Sequence, residues 1–330
     1  MTRGHGQAGA APAPGRWRRT LASEYWVLYL SLAYFLALLP VVPGLAAPEN
    51  LANIFSNMLP LLVVATGQTL VLVTRGIDLS VTSVMALASV SGALVMSGDQ
   101  GWLGGSPWAA PAGLLVMLLV GAGVGALNGA AITGFRMPPF IVTLTSMMFF
   151  SGLAIWLTKS RPIYNLPAAF VALGRDYAAL LIAVLAVAAA HLTLSRALLG
   201  RWLYAIGTNV NTALVSGVPV RRAVISAYIG CGVAASLAAA LYTGRLETGS
   251  PVLGQRILLD VIGATVIGGT SLFGGKGKVS WTVCGVLFIV LIDNSLDLLR
   301  LSYFTIMTVK GGVILGAALL DVWRNRVLVG

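Results

Sequence analysis

Residues 52–73 read ANIFSNMLPLLVVATGQTLVLV, a run without a single charged side chain. Apolar residues follow one another here without the period-two alternation of a barrel strand, so the run predicts a helix crossing hydrocarbon. A bilayer core about 30 Å thick takes about 20 residues of helix. The same ruler, carried outward in both directions, gives ten candidate spans: 25–42, 52–73, 79–97, 109–129, 140–158, 178–195, 223–243, 257–272, 279–298 and 305–322. The expected fold class is an all-α integral membrane protein of about ten transmembrane helices.

Composition agrees. Of 330 residues 58% are apolar and only 9% are charged, against about 25% charged in a soluble domain. A water-soluble fold of this size needs a polar skin that these residues do not supply. That excludes a cytosolic enzyme, a disordered chain and a disulfide-stapled secreted domain. The net charge of +11 is read as loop Arg and Lys that set topology and meet anionic headgroups, not as a nucleic-acid footprint. Cys231 and Cys284 lie inside apolar runs, and His5 and His191 stand too far apart for a ligand spacing. Metal or thiol catalysis therefore has no support, and no metal is expected.

Residues 1–22 are Gly-, Ala- and Pro-rich and end in a basic cluster, which predicts a disordered cytosolic tail ahead of a single transmembrane domain over 23–330. No small-x-small cleavage site separates the tail from the first span, so a removed signal peptide is the weaker reading. With the amino terminus inside, the inner segments hold fourteen Arg and Lys and the outer segments six, Lys310 falling within the last span. The imbalance favours both termini in the cytoplasm and an even number of spans.

One connection is unlike the others. Residues 196–222, RALLGRWLYAIGTNVNTALVSGVPVRR, form the longest expected cytoplasmic loop and carry four arginines. Asn209 is placed to cap a short helix, and Gly217 followed by Pro219 to end it. On pattern alone the segment reads equally as an amphipathic interfacial stretch or as a docking helix for a cytosolic partner.

A transporter needs a source of work. The chain has no GxxxxGK[ST] loop, and Gly274-Gly275-Lys276-Gly277-Lys278 has the wrong spacing, so it reads as a tight turn. An ion-driven carrier relies on ionisable residues inside spans. The candidates are Asp78, Asp260, Asp293, Asp297 and Lys310, and they form no evident relay. Asp293 and Asp297 share a helix face at i, i+4, the one hint of a membrane-embedded transferase, but basic or metal-binding partners for them are not apparent. Gly121, Gly125 and Gly129 recur every four residues, a spacing that lets helices approach closely. Asn128 within that stripe either bonds across helices or faces a polar pathway, because an amide in hydrocarbon must find partners.

Four stretches, taken in order, resemble the permease subunits of bacterial ATP-binding-cassette importers for monosaccharides, the ribose-type family within the wider branched-chain amino acid and sugar permease superfamily. The first is Gly67-Gln68-Thr69-Leu70-Val71-Leu72 running into Thr74-Arg75-Gly76-Ile77-Asp78-Leu79-Ser80-Val81. The second is Gly125-Ala126-Leu127-Asn128-Gly129 with Pro139-Phe140-Ile141-Val142-Thr143-Leu144. The third is Gly200-Arg201-Trp202-Leu203-Tyr204-Ala205-Ile206-Gly207 with Asn209 and Val215-Ser216-Gly217-Val218. The fourth is Leu259-Asp260 with Val266 to Leu272 and Gly274-Gly275-Lys276-Gly277. Order and spacing match from about residue 50 to 322. The chain departs from the family pattern at Arg75, Val210 and Leu258, where a small residue, Glu and Glu are common.

The resemblance implies a transport subunit, not an enzyme: two permeases, identical or sister chains, form the pathway in the inner membrane. A cytosolic ATPase uses ATP, an extracytoplasmic sugar-binding protein delivers substrate, and no cofactor is bound by this chain. It implies that 196–222 is the coupling loop, with Gly200, Arg201, Asn209, Ser216, Gly217 and Val218 at the ATPase. It marks Gly76, Ile77, Asp78, Leu79 and Ser80 as the signature turn, in which Asp78 is expected to cap the third span. Gln68, Thr69, Asn128, Thr143 and Thr145 are the polar span residues expected along the pathway. Alternatives are a permease for branched-chain amino acids, nucleosides or a furanone-type signal, or an ion-coupled secondary carrier.

Overall fold

In hydrocarbon every backbone N–H and C=O has to be satisfied within its own segment, and the apolar runs accordingly fold as helices. The computed structural model describes residues 25–329, and within them all side chains but those of 176, 317, 318 and 320–329; the expected tail lies outside the described residues. The principal helices are α1 Trp26–Leu38, α2 Pro48–Val73, α3 Val81–Met96, α4 Ala109–Gly134, α5 Pro139–Thr158, α6 Asp176–Ser195, α7 Leu198–Thr208, α8 Val210–Val215, α9 Val220–Leu246, α10 Leu258–Gly268, α11 Val279–Leu298 and α12 Tyr303–Val329. Among the described residues six stretches are long and apolar enough to cross a membrane, five of them the whole of α2, α4, α5, α9 and α11 and the sixth α6 from Tyr177 onward. Four shorter apolar helical stretches accompany them, in α1, α3, α10 and α12.

The ends shift for local reasons. α1 stops at Leu38 instead of running to 42, since Pro40 has no N–H to continue the ladder. α2 begins early, at Pro48, whose fixed φ suits the first helical position. α10 ends at Gly268, short of the expected 272, because Gly269 turns left-handed with φ 116°.

α2 is the central post. Every residue from Leu59 to Val73 is buried, between α9, α11, α6 and α10. α9 packs on α4, α2 and α3. The glycine stripe makes the α4–α9 contact possible: a Cβ at Gly121 would strike the Gly232 carbonyl, one at Gly125 the Tyr228 carbonyl, and one at Gly129 would come 2.7 Å from Ile225 Cα. Close packing, not a pathway, is what these glycines do. The peripheral α5 and α6 leave Phe149, Trp156, Leu181 and Leu185 well over half exposed, the apolar surface that acyl chains cover.

Two connections, 159–167 and 247–257, meet at one end of the bundle. Ile163 and Gly249 exchange both backbone hydrogen bonds at 2.8 Å, and Arg175 pairs with Glu247 nearby.

Candidate functional site: the signature turn and the coupling loop

Between α2 and α3 the chain reverses over residues 74–80, and this turn is a buried hub. Asp78 is 1% exposed and Ser80 fully buried. Asp78 Oδ1 accepts from the Ser80 N–H at 2.9 Å and the Ser80 hydroxyl at 2.6 Å. Burial raises the Asp78 carboxyl above its ordinary range, and the two Ser80 donors pull it partly back. The expected helix cap thus takes another form. Asp78 closes an Asx-type turn that ends at Ser80, and Ser80 holds the N-cap position without a side-chain bond to the helix's own N–H groups.

The neighbours of the turn are polar groups from four helices. The Gln68 amide, oriented so that both ends are satisfied, donates to the Asp78 carbonyl and accepts from the Asp78 N–H, each at 3.2 Å. Asn128 donates to the Ser80 hydroxyl at 2.9 Å and accepts from Ser146. The hydroxyls of Thr143 and Tyr228 donate to the Ile77 carbonyl at 3.2 and 3.3 Å. Gly76 fits because a Cβ there would meet the Tyr228 hydroxyl and Val71. Each buried polar group in this knot has a partner, the condition for holding it in a low-dielectric interior.

This geometry resolves the two readings of Asn128 in favour of bonding across helices. It also separates the five residues expected along the pathway. Gln68, Thr69 and Thr143 are fully buried, Thr69 against Thr282 at 2.7 Å. Thr145 bonds back to the Ile141 and Val142 carbonyls, and lines, with Asn128, a groove of about 470 Å³ on α4 and α5.

The loop 196–222 folds as α7 and α8. Asn209 caps α8, its side chain accepting from the Thr212 N–H at 3.0 Å. Gly217, at φ 79°, ends it, and the Val218 N–H returns to the Ala213 carbonyl. Leu214 and Val215 on this six-residue helix are 57% and 88% exposed. Gly200 lets α7 turn tightly against the end of α6, where a Cβ would meet the Thr193 and Leu194 carbonyls. Arg201 and Ser216 are exposed at the loop surface.

α7 is strapped to the bundle by contacts that sequence reading missed. Arg75, in left-handed backbone at φ 66°, donates to the Gly207 and Thr208 carbonyls at 2.6 Å each. Tyr204 donates to the Gly277 carbonyl at 2.6 Å, and Gly275 N–H bonds the Val73 carbonyl at 2.9 Å. Gly207 has no room for a side chain between the Val73 carbonyl and Gly275 N. The unusual arginine before Gly76 was the available signal.

Beside the middle of α2, away from the turn, the structure assembles a second polar cluster. Lys310 Nζ on α12 lies 2.6 Å from Asp260 on α10 and 2.9 Å from Asp293 on α11. This corrects the expectation that Asp293 lacks a basic partner. Lys310 supplies one, seventeen residues away on the next helix.

Comparison with known proteins places this arrangement. The family described as branched-chain amino acid transport system / permease component matches residues 50–319. The chain belongs to that family. The permease is 37% identical to the ribose import permease protein RbsC of Bacillus subtilis over 292 residues, which cover 84% of this chain and 86% of that one. It is 31% identical to the D-allose transport system permease protein AlsC of Escherichia coli over 310 residues, 90% and 92% of the two chains. It is 30% identical to the autoinducer 2 import system permease protein LsrC of an Enterobacter species, over 88% and 84%. No solved structure matches it. The resemblance to ribose-type sugar permeases carried by the four stretches therefore holds. The permease is a multi-pass protein of the inner membrane.

Proposed function

We propose that this permease passes a monosaccharide from an extracytoplasmic binding protein to the cytoplasm by alternating access, powered by a separate ATPase. The observation that carries the reading is the identity with ribose and D-allose permeases across most of both chains. The chain crosses the membrane ten times with both termini inside, as the six long and four shorter apolar stretches allow and the excess of inner Arg and Lys favours. It works beside a second permease, itself or a sister chain, with anionic lipid around its basic loops. It binds no cofactor or nucleic acid and has no ATPase site of its own; ATP is consumed by the partner.

In this reading α8 is the element that fits the ATPase, and its exposed Leu214 and Val215 are the apolar contact. ATP closes the ATPase pair and moves α8. Arg75, Tyr204 and Gly275 pass that displacement to the ends of α2 and of the 269–278 segment. The helices then exchange between two packed arrangements biased by nucleotide.

The test is co-purification from the native membrane in detergent, comparing wild type with Gly217→Pro, which cannot adopt the φ of 79°. Recovery of an ATPase with wild type and its loss with the variant support the reading. A chain that purifies alone and still moves solute in ATP-free vesicles would be an ion-coupled carrier, and the proposal would be wrong.

A further inference from the structure

Around the Lys310 cluster lies a cavity of about 310 Å³. It opens among the middle of α2, the end of α9, the start of α10, the end of α11 and the start of α12. Its charged lining is complete with five residues: Asp260, Asp293, Asp297, Arg256 and Lys310. Lys310 sits between two carboxylates, and its 3.2 Å hydrogen bond reaches the second oxygen of Asp293. Arg256 stacks 4.5 Å over the Tyr303 ring. Among the described residues neither Asp297 nor the Tyr242 hydroxyl, both at the cavity wall, has a side-chain hydrogen-bond partner.

We infer that this cavity is a transit site for a neutral polyol of monosaccharide size. A hydroxyl both donates and accepts, and the wall sets acceptors beside donors around one open cavity, with Asp260 at its buried floor and Arg256, Asp297 and Tyr303 at its exposed rim. Carboxylates accept hydrogen bonds from the hydroxyls, while the ammonium and guanidinium donate to the hydroxyl oxygens. Tyr303 and Tyr242 add ring surface for the carbon face of a sugar. The volume lies at the lower end of small-molecule sites, about 300–1,000 Å³, which suits one sugar ring. Three carboxylates against two cations leave no large uncompensated field to hold an ionic solute. The groups are mostly neutralised by one another before the sugar arrives, so the well is shallow, as a conduit requires. The inference rests on the import reading, in which this end of the bundle faces the binding protein.

Asp297→Asn removes a charged acceptor from the wall and leaves both ion-pair partners of Lys310, Asp260 and Asp293, in place, and Val290→Phe fills the cavity with an apolar ring. Uptake of radiolabelled D-ribose and D-allose is measured in native-membrane vesicles holding the assembled transporter, per copy of permease. Saturation-transfer NMR on purified permease in nanodiscs reports binding of the same sugars directly. We expect Asp297→Asn to raise KM roughly tenfold, the loss of one charged hydrogen bond, Asp297→Glu to recover part of it, and Val290→Phe to abolish the NMR signal. Unchanged KM in both variants, with wild-type uptake intact, overturns the site and leaves the import reading standing. Absence of ATP-dependent uptake by wild type refutes the import reading. The NMR arm then decides the site by itself, a polyol signal lost in Val290→Phe upholding it and no signal overturning it.

Discussion

Arg75 reaches across from the turn after α2 and holds the Gly207 carbonyl at the end of α7 with its Nε at 2.6 Å. A guanidinium is planar and presents several N–H groups in a fixed fork, so the same side chain also takes the Thr208 carbonyl. One residue thereby joins the signature turn to the loop proposed to meet the ATPase, two stretches separated by more than a hundred positions of sequence.

Arg75→Ala removes both bonds and leaves two carbonyls at the end of α7 without a donor. Hydrogen bonds from charged groups contribute about 1.5–3 kcal/mol each. The expected outcome is faster amide hydrogen exchange over 198–208 with the bundle unchanged, together with a lower ratio of sugar moved to ATP consumed. Equal exchange in variant and wild type would show that the strap does not hold α7.

Gly207→Ala places a methyl group where the Val73 carbonyl and Gly275 N already stand. Neither is the tip of a flexible side chain, so backbone must move, and the penalty should reach about 1–3 kcal/mol or more for overpacking. We expect a lower melting temperature in detergent than for Gly123→Ala, a position with open space around it.

Asn128→Leu strips the Ser80 hydroxyl of a donor and Ser146 of its acceptor in the knot around the signature turn. Leaving buried groups unpaired costs about 1–3 kcal/mol. The variant should insert yet unfold at a lower temperature, and Asn128→Gln, which keeps the amide but not its reach, should recover little. A melting temperature equal to wild type would argue against the knot.

Lys310→Met leaves Asp260, 7% exposed, and Asp293 facing each other without a cation. Breaking a buried pair by removing one partner is worth about 3–5 kcal/mol. Membrane abundance should fall sharply. The triple variant with Asp260→Asn and Asp293→Asn should restore it, since the charges then vanish together.

Val215→Asp puts a charge on the most exposed apolar side chain of α8, 88% exposed. The fold has nothing to lose there, so stability should match wild type while recovery of the ATPase drops. Retention of a full complement of ATPase would move the docking surface elsewhere.

How much of this was legible in the sequence depends on the range of each interaction. Helices over 52–73, 140–158 and 279–298 are set by local hydropathy and a fixed bilayer thickness, and the structure differs from those bounds by a few residues at most. Asn209 and Gly217 act through bonds to residues a few positions away, so cap and stop were readable. The role of Gln68 was not, because its partner is a backbone reversal ten residues on that only the packing of α9 and α4 closes. Asp260, Asp293 and Lys310 each stood out as ionisable groups in apolar runs. Their meeting depends on how α10, α11 and α12 assemble, which no spacing along the chain encodes.

The early end of α10 limits where lipid can reach. Eleven residues of helix rise only about 16 Å, half of an acyl-chain layer about 30 Å deep. Beyond it, Gly269 to Lys278 is open backbone whose amides are answered by the Thr265 and Val266 carbonyls of α10, by the Val73 carbonyl and by its own Ser271 and Lys276 carbonyls. Such a stretch is insoluble in oil. Leu272 and Phe273 within it are 48% and 86% exposed, so the stretch has to sit at an end of the bundle that reaches water, where the charges of Lys276 and Lys278 are solvated and no acyl chain has to cover its bare amides.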